Sequence, residues 1–80
     1  MYFVYLLRSI NYPEHIYVGK TSNLKKRLYN HNCGTTEHTA KYAPWNLITY
    51  ICFTDKMKAI EFEKYLKSGS GREFRNKRLL

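Results

Sequence analysis

An α+β domain with a three-stranded antiparallel sheet flanked by helices, in the order β-β-α-β-α-α, is what this sequence predicts. Three observations carry the prediction. "YFVYLLR" at residues 2–8 and "IYVGKT" at 16–21 are β-branched and aromatic runs around a Pro-containing turn, which reads as an antiparallel hairpin. "WNLITYICFT" at 45–54 is the strongest strand in the chain. The segments after the second and third strands carry helix start and stop signals.

Taken in order, the first two strands place Tyr5 and Tyr17 inside the sheet and not in the turn. Ser22 or Asn23 caps a helix running to about Asn32, with Gly34 as the stop signal. Leu24, Leu28 and His31 follow the spacing of its inward face, and Arg27 and His31, four apart, share one side. "GTTEHTAKYAP" is polar and irregular and reads as a loop ending at Pro44. Asp55 caps a second helix, "KMKAIEFEKYLK", which Gly69 ends. Ser70 and Glu73 have capping-box spacing, which predicts a short third helix carrying Phe74 and Leu79 inward.

The 80 residues, 1–80, are read as one domain, without repeats or low-complexity tracts. A chain this short buries roughly two-thirds of its unfolded surface, so it is sensitive to changes in its core. Hydrophobic content of 44% and aromatic content of 16% argue against disorder. Fourteen Lys and Arg against six Asp and Glu leave a net charge of +8, which makes a polyanion the leading partner. A charge kept for solubility alone would be spread evenly, and this one is clustered. Residues 20–31 hold Lys20, Lys25, Lys26 and Arg27 with no acid, and residues 64–80 hold Lys64, Lys67, Arg72, Arg75, Lys77 and Arg78 against Glu73 alone. A membrane surface is disfavoured, because no lysine-rich helix has a matching continuous apolar face. Cys33 and Cys52 form no CxxC pair, and with His31 and His38 they do not make a zinc site. The apolar start is too short to span a bilayer and no basic leader precedes it, so the expected location is cytoplasmic.

Gly19-Lys20-Thr21 looks like the tail of a phosphate-binding P-loop, but the required earlier glycine is replaced by Glu14, a carboxylate where the anion would sit. The second helix offers a sharper signal. At 100° per residue, Ala59, Phe62 and Leu66 define its buried stripe, Glu63 falls at the edge of that stripe, and Glu61 points nearly opposite. An inward carboxylate is costly unless it is paired or holds a metal. An ion pair with an arginine and a Mg²⁺ ion shared with phosphate oxygens are the two readings of Glu63.

A tyrosine in the first strand, Tyr17-Val18-Gly19 in the second, an arginine eight residues after that glycine and a glutamate on a later helix resemble the GIY-YIG nuclease superfamily. Phe3-Val4-Tyr5 and Tyr17-Val18-Gly19 stand for the two name-giving triplets, with Phe3 in place of the first glycine and valine for isoleucine in both. Asn76 matches the family's late asparagine by position only. The likeness covers essentially the whole chain, and "YLKSGSGREF" brings it near the small stand-alone bacterial UvrC-like group.

The resemblance implies an endonuclease, a hydrolase of phosphodiester bonds in nucleic acid, DNA before RNA, using one Mg²⁺ or Mn²⁺ ion. It implies that Tyr5, Tyr17, Arg27, His31 and Glu63 are catalytic and that Glu63 holds the metal. Arg27 would neutralise charge on the phosphoryl oxygens, Tyr17 would position or deprotonate water, and Tyr5 and His31 would complete the hydrogen-bond network, with His31 the alternative proton acceptor. Gly19 would be structural, letting the strand end pass close to the site. Lys20, Lys25, Lys26, Arg72, Arg75 and Lys77 are the expected nucleic-acid contacts. Selectivity would come from substrate shape, from a homodimer or from a repair-protein partner. A non-catalytic nucleic-acid-binding module, or an interaction domain recruited to repair, is the competing reading.

Overall fold

A computed structural model describes residues 1–34 and 37–80. The first strand, β1 (Tyr2–Ser9), pairs antiparallel with β2 (Ile16–Thr21) on one side and with β3 (Trp45–Phe53) on the other, giving the order β2-β1-β3. The first strand of the chain is therefore the middle one of the sheet. Two helices, α1 (Leu24–Asn32) and the short α2 (Glu37–Ala40), follow β2, and α3 (Lys56–Lys67), α4 (Gly69–Phe74) and a π-helical turn (Arg75–Leu79) follow β3. The α+β order expected from the sequence is present.

Alternation along β1 sorts the core into two layers. Val4 and Leu6 join Val18, Ala59 and Leu66 under α3, with Phe62 and Leu79 packed against them. Tyr5 and Leu7 join Trp45 on the other face, with Leu24 and Leu28 of α1 packed against them. A register shift between Leu6 and Leu7 leaves Ile48 without a partner on β1; Ile48 packs in the α3 layer and Leu47 in the α1 layer.

Caps fix the helix starts. Asn23 accepts the Lys26 amide, Asp55 accepts the Met57 amide, and Gly34 follows α1 at φ +75°, a value that favours glycine. Three expectations need correction. α3 spans the expected Lys56–Lys67, but Ser68 and not Gly69 stops it, leaving the helix with extended backbone and capping α4 through the Gly71 amide. The capping box at Ser70 and Glu73 is thereby displaced by two residues. Phe74 is 37% exposed instead of inward, resting on the rings of Phe62 and Tyr65, whereas Leu79 does pack on the core. The polar stretch expected as a loop contains α2, which delivers Thr39 fully buried, and ends in a cis Ala43–Pro44 bond. Thr35 and Thr36 of that stretch lie outside the described residues.

Candidate active site

Tyr5, on the central strand, anchors the site. Its cross-strand partner on β2 is Gly19, and its ring occupies the space a side chain there would take. A Cβ built on Gly19 would stand 2.5 Å from Tyr5 Oη, 2.6 Å from Tyr5 Cζ and 2.9 Å from Tyr17 Cε2. The glycine is a packing requirement of two tyrosines, not a phosphate cradle.

From Tyr5 a chain of polar groups runs inward. Its hydroxyl lies 2.8 Å from His31 Nε2, and His31 Nδ1 lies 2.7 Å from Thr39 Oγ1. Trp45 Nε1 donates to the Thr39 carbonyl at 2.9 Å. Arg27, one helical turn before His31 on α1, donates from Nε to the Tyr5 hydroxyl at 3.4 Å. Tyr5, His31 and Thr39 are each fully buried. Tyr17 closes the group, half-buried, with its ring centroid 4.9 Å from His31 and 6.3 Å from Tyr5.

The charges in this chain follow from burial. Burial pushes the Tyr5 phenol up to about 12, with the neighbouring Tyr17 and Glu63 adding to the rise and Arg27 opposing it. Burial, then the Arg27 charge, holds His31 below the ordinary histidine value. Arg27 in turn is held above its ordinary value, chiefly by its bond to Tyr5. At neutral pH, Tyr5 is a phenol and His31 a neutral imidazole. One proton order satisfies every distance: Arg27 donates to Tyr5, Tyr5 donates to His31 Nε2, and His31 Nδ1–H donates to Thr39; the other His31 tautomer reverses the last two bonds.

Glu63 sits on α3, which packs across β2 and β1 on the opposite layer. Its side chain is only 18% exposed, against the outward, exposed Glu61. The ion pair expected with an arginine is made instead with Lys67, at 3.3 Å and one turn along the same helix. Among the described residues no three His, Cys, Asp or Glu side chains converge on a metal position.

The expected basic contacts divide. Lys25 and Lys26 are exposed on α1, and Lys26 and Arg27 line one polar hollow. Lys20 lines a separate hollow with Lys56, the opening residue of α3, which sequence reasoning passed over. Arg72, Arg75 and Lys77 lie on α4 and the closing turn, packed beside α3, and Arg75 donates to the Asn76 side chain. Thr39 and Trp45 were missed as well: one fell in the polar stretch, the other read simply as a strand residue. Among the described residues no helix is long and apolar enough to cross a membrane.

Comparison with known proteins agrees with this geometry. A family described as the GIY-YIG catalytic domain matches residues 1–78. The structure-specific endonuclease subunit slx1 of Talaromyces marneffei is 41% identical over 69 residues, 78% of this chain and 18% of that protein. That of Debaryomyces hansenii is 38% identical over 73 residues, 82% of this chain and 21% of that protein. The chain thus spans about a fifth of the length of these relatives. The UPF0213 protein CPE1444 of Clostridium perfringens is 36% identical over 69 residues, 84% of this chain and 71% of that protein. The solution NMR structure of the UPF0213 protein BH0048 from Bacillus halodurans superposes with a TM-score of 0.54 at 26% identity, covering 91% of this chain and 80% of that one. Two tyrosines on paired strands, a glycine that admits them, an arginine on the next helix and a match over 1–78 lead to one conclusion: the chain belongs to the GIY-YIG family.

Proposed function

We propose that this chain is a metal-dependent endonuclease that hydrolyses phosphodiester bonds in nucleic acid, DNA first, at sites chosen by shape. The observation that carries the reading is the buried Arg27–Tyr5–His31–Thr39 chain. Three polar side chains taken fully out of water lower stability unless each finds a partner, and even then apolar residues would pack as well. A function at its open end explains why the chain of bonds is there. Mere binding to phosphates needs only exposed lysines.

In this reading Arg27 meets the charge that builds on the phosphoryl oxygens, and the Tyr5 bond fixes where its guanidinium points. Tyr17 orients the attacking water. The water oxygen bonds to phosphorus and gives up a proton to solvent, the ester P–O bond breaks, and the leaving oxygen takes up a proton from solvent. Tyr5 stays protonated and acts as a donor throughout. His31, with both ring nitrogens engaged and no exposed surface, is a positioning residue for Tyr5.

Glu63 is the residue that would hold a metal. One carboxylate suits Mg²⁺, which keeps several waters and shares substrate phosphate oxygens in place of a full protein cage. A bound ion supplies polarisation of the scissile phosphate and charge stabilisation at the leaving oxygen. The Lys67 pair does not bar this, since Lys67 is 54% exposed and such pairs contribute little.

The relatives named structure-specific endonuclease subunits support shape selectivity, exercised here with a partner protein or a second copy of the chain, in repair or recombination. The deciding experiment is cleavage of labelled single-stranded, duplex, branched and flap DNA with Mg²⁺ or Mn²⁺. Wild type and Glu61→Ala should cut, and Glu63→Ala should not. Salt-sensitive binding with no cutting by any variant would leave a binding module.

A further inference from the structure

Beside the candidate site, on the same face of the sheet, lies an open groove between the start of α1 and β3. Phe3, Leu24, Lys25, Leu28, Leu47 and Tyr50 form it. Tyr50 is 50% exposed, and its ring stands edge-on against Phe3 at 5.8 Å and 69°. That contact holds a large aromatic surface upright in solvent. The groove shares Ser22 and Asn23 with the polar hollow that contains Lys26 and Arg27, so the two form one continuous track. Among the described residues no acid lines either of them. Phe3, which stands where the resemblance places a glycine, supplies the wall.

We propose that this groove is a stacking platform for unpaired bases of a single-stranded segment, whose backbone runs over Lys25 and Lys26 toward Arg27. The inference rests on the nuclease reading and adds to it the feature of the substrate that is recognised. Every base has a π-face, so an aromatic platform beside a cationic track binds single strands without regard to sequence. A duplex hides its base faces and gains nothing from Tyr50. A protein occupant would want the groove's exposed apolar area without the positive charge, and an acid-free rim favours a polyanion.

The test is fluorescence anisotropy in metal-free buffer with a labelled oligothymidylate and a duplex of matched length. Tyr50→Ala should lower the preference for single strand over duplex by roughly 5- to 150-fold, the range for loss of one stacked base. Tyr50→Trp should retain the preference, and its indole emission should be quenched on binding. Tyr29→Ala, removing a tyrosine 69% exposed on α1, should leave the preference unchanged. Equal preference in wild type and Tyr50→Ala, or equal loss in Tyr29→Ala, overturns the platform. So does sedimentation that finds the groove closed by a second copy through Tyr50. Because binding is read without metal, these outcomes are independent of cleavage. A wild type that stacks single strands but never cuts refutes the nuclease and keeps the platform.

Discussion

Replacing Gly19 with alanine sets two effects of opposite sign against each other. Glycine inside a strand gives up roughly 0.5–1 kcal/mol relative to alanine, so backbone entropy alone favours the substitution. The added methyl, however, would meet Tyr5 Oη at 2.5 Å and Cζ at 2.6 Å. Overpacking of this kind costs about 1–3 kcal/mol. The ring cannot swing aside cheaply, because Tyr5 is fully buried and tied to His31 at 2.8 Å. The clash wins. A net loss of about 1 kcal/mol, and at most about 2.5 kcal/mol, is expected out of the roughly 4–12 kcal/mol available to a domain of this size.

Urea denaturation of four proteins isolates the cause: wild type, Gly19→Ala, Tyr5→Leu and the double variant. Leucine keeps apolar packing at position 5 but lacks the atoms nearest the new methyl. In that background Gly19→Ala should cost at least 1 kcal/mol less, leaving only the 2.9 Å approach to Tyr17. Additivity within about 0.5 kcal/mol would refute the packing argument. It would mean that Gly19 serves some purpose other than making room for Tyr5.

Stability should be highest between roughly pH 6.5 and 10. With His31 held low, the unfolded chain binds a proton that the fold refuses, so stability falls as pH drops below the ordinary histidine value. With Tyr5 pushed up to about 12, the fold keeps a proton that the unfolded chain loses. Stability should therefore fall by about 2–3 kcal/mol as pH rises from 10 to 12, and Tyr5→Phe should flatten that limb in thermal melts. Thr39→Val should cost about 1–3 kcal/mol by stranding the buried His31 Nδ1–H, while Thr39→Ser restores most of it; equal losses would exclude the hydroxyl as the cause. DNA affinity should fall steeply with salt, and Lys26→Ala should lower the slope of log K against log salt by about 0.7–0.9, as one phosphate contact requires. An unchanged slope would remove Lys26 from the interface.

Much of the fold was legible because its signals are local. Asn23, Gly34 and Asp55 each act on backbone within a few residues, and alternation along "YFVYLLR" sets which side chains meet which layer. The tail was misread for a related reason. Three candidate caps, Ser68, Ser70 and Gly69, stand side by side, and the docking of α4 on α3 selects Ser68. That docking depends on Gly71, where a Cβ would overlap the Tyr65 carbonyl, a contact invisible in the sequence.

The candidate site divides along the same line. Arg27 and His31 are four apart on one helix, and Tyr5 and Tyr17 lie on one hairpin, so helical and strand periods bring each pair together. The third dimension adds what periods cannot reach. Thr39 arrives on a one-turn helix inside a stretch that has every mark of a loop, and Trp45 reaches it from the next strand. Lys67 as the partner of Glu63 was within reach, since one helical turn separates them.

A middle strand that is also the first strand has a consequence for assembly of the candidate site. As the chain is made, β1 can pair early with β2, and Tyr5 can settle over Gly19. Its other edge waits for residues 45–53, and the layer beneath it waits for α3. Such distant pairings form slowly, after their loop-closure entropy has been met. Glu63, on α3, is therefore absent from any intermediate that consists of the hairpin and α1 alone. Truncated or half-made chains carry the tyrosines and the arginine without the proposed metal ligand. On this architecture, the proposed cutting site is whole only when the fold is complete.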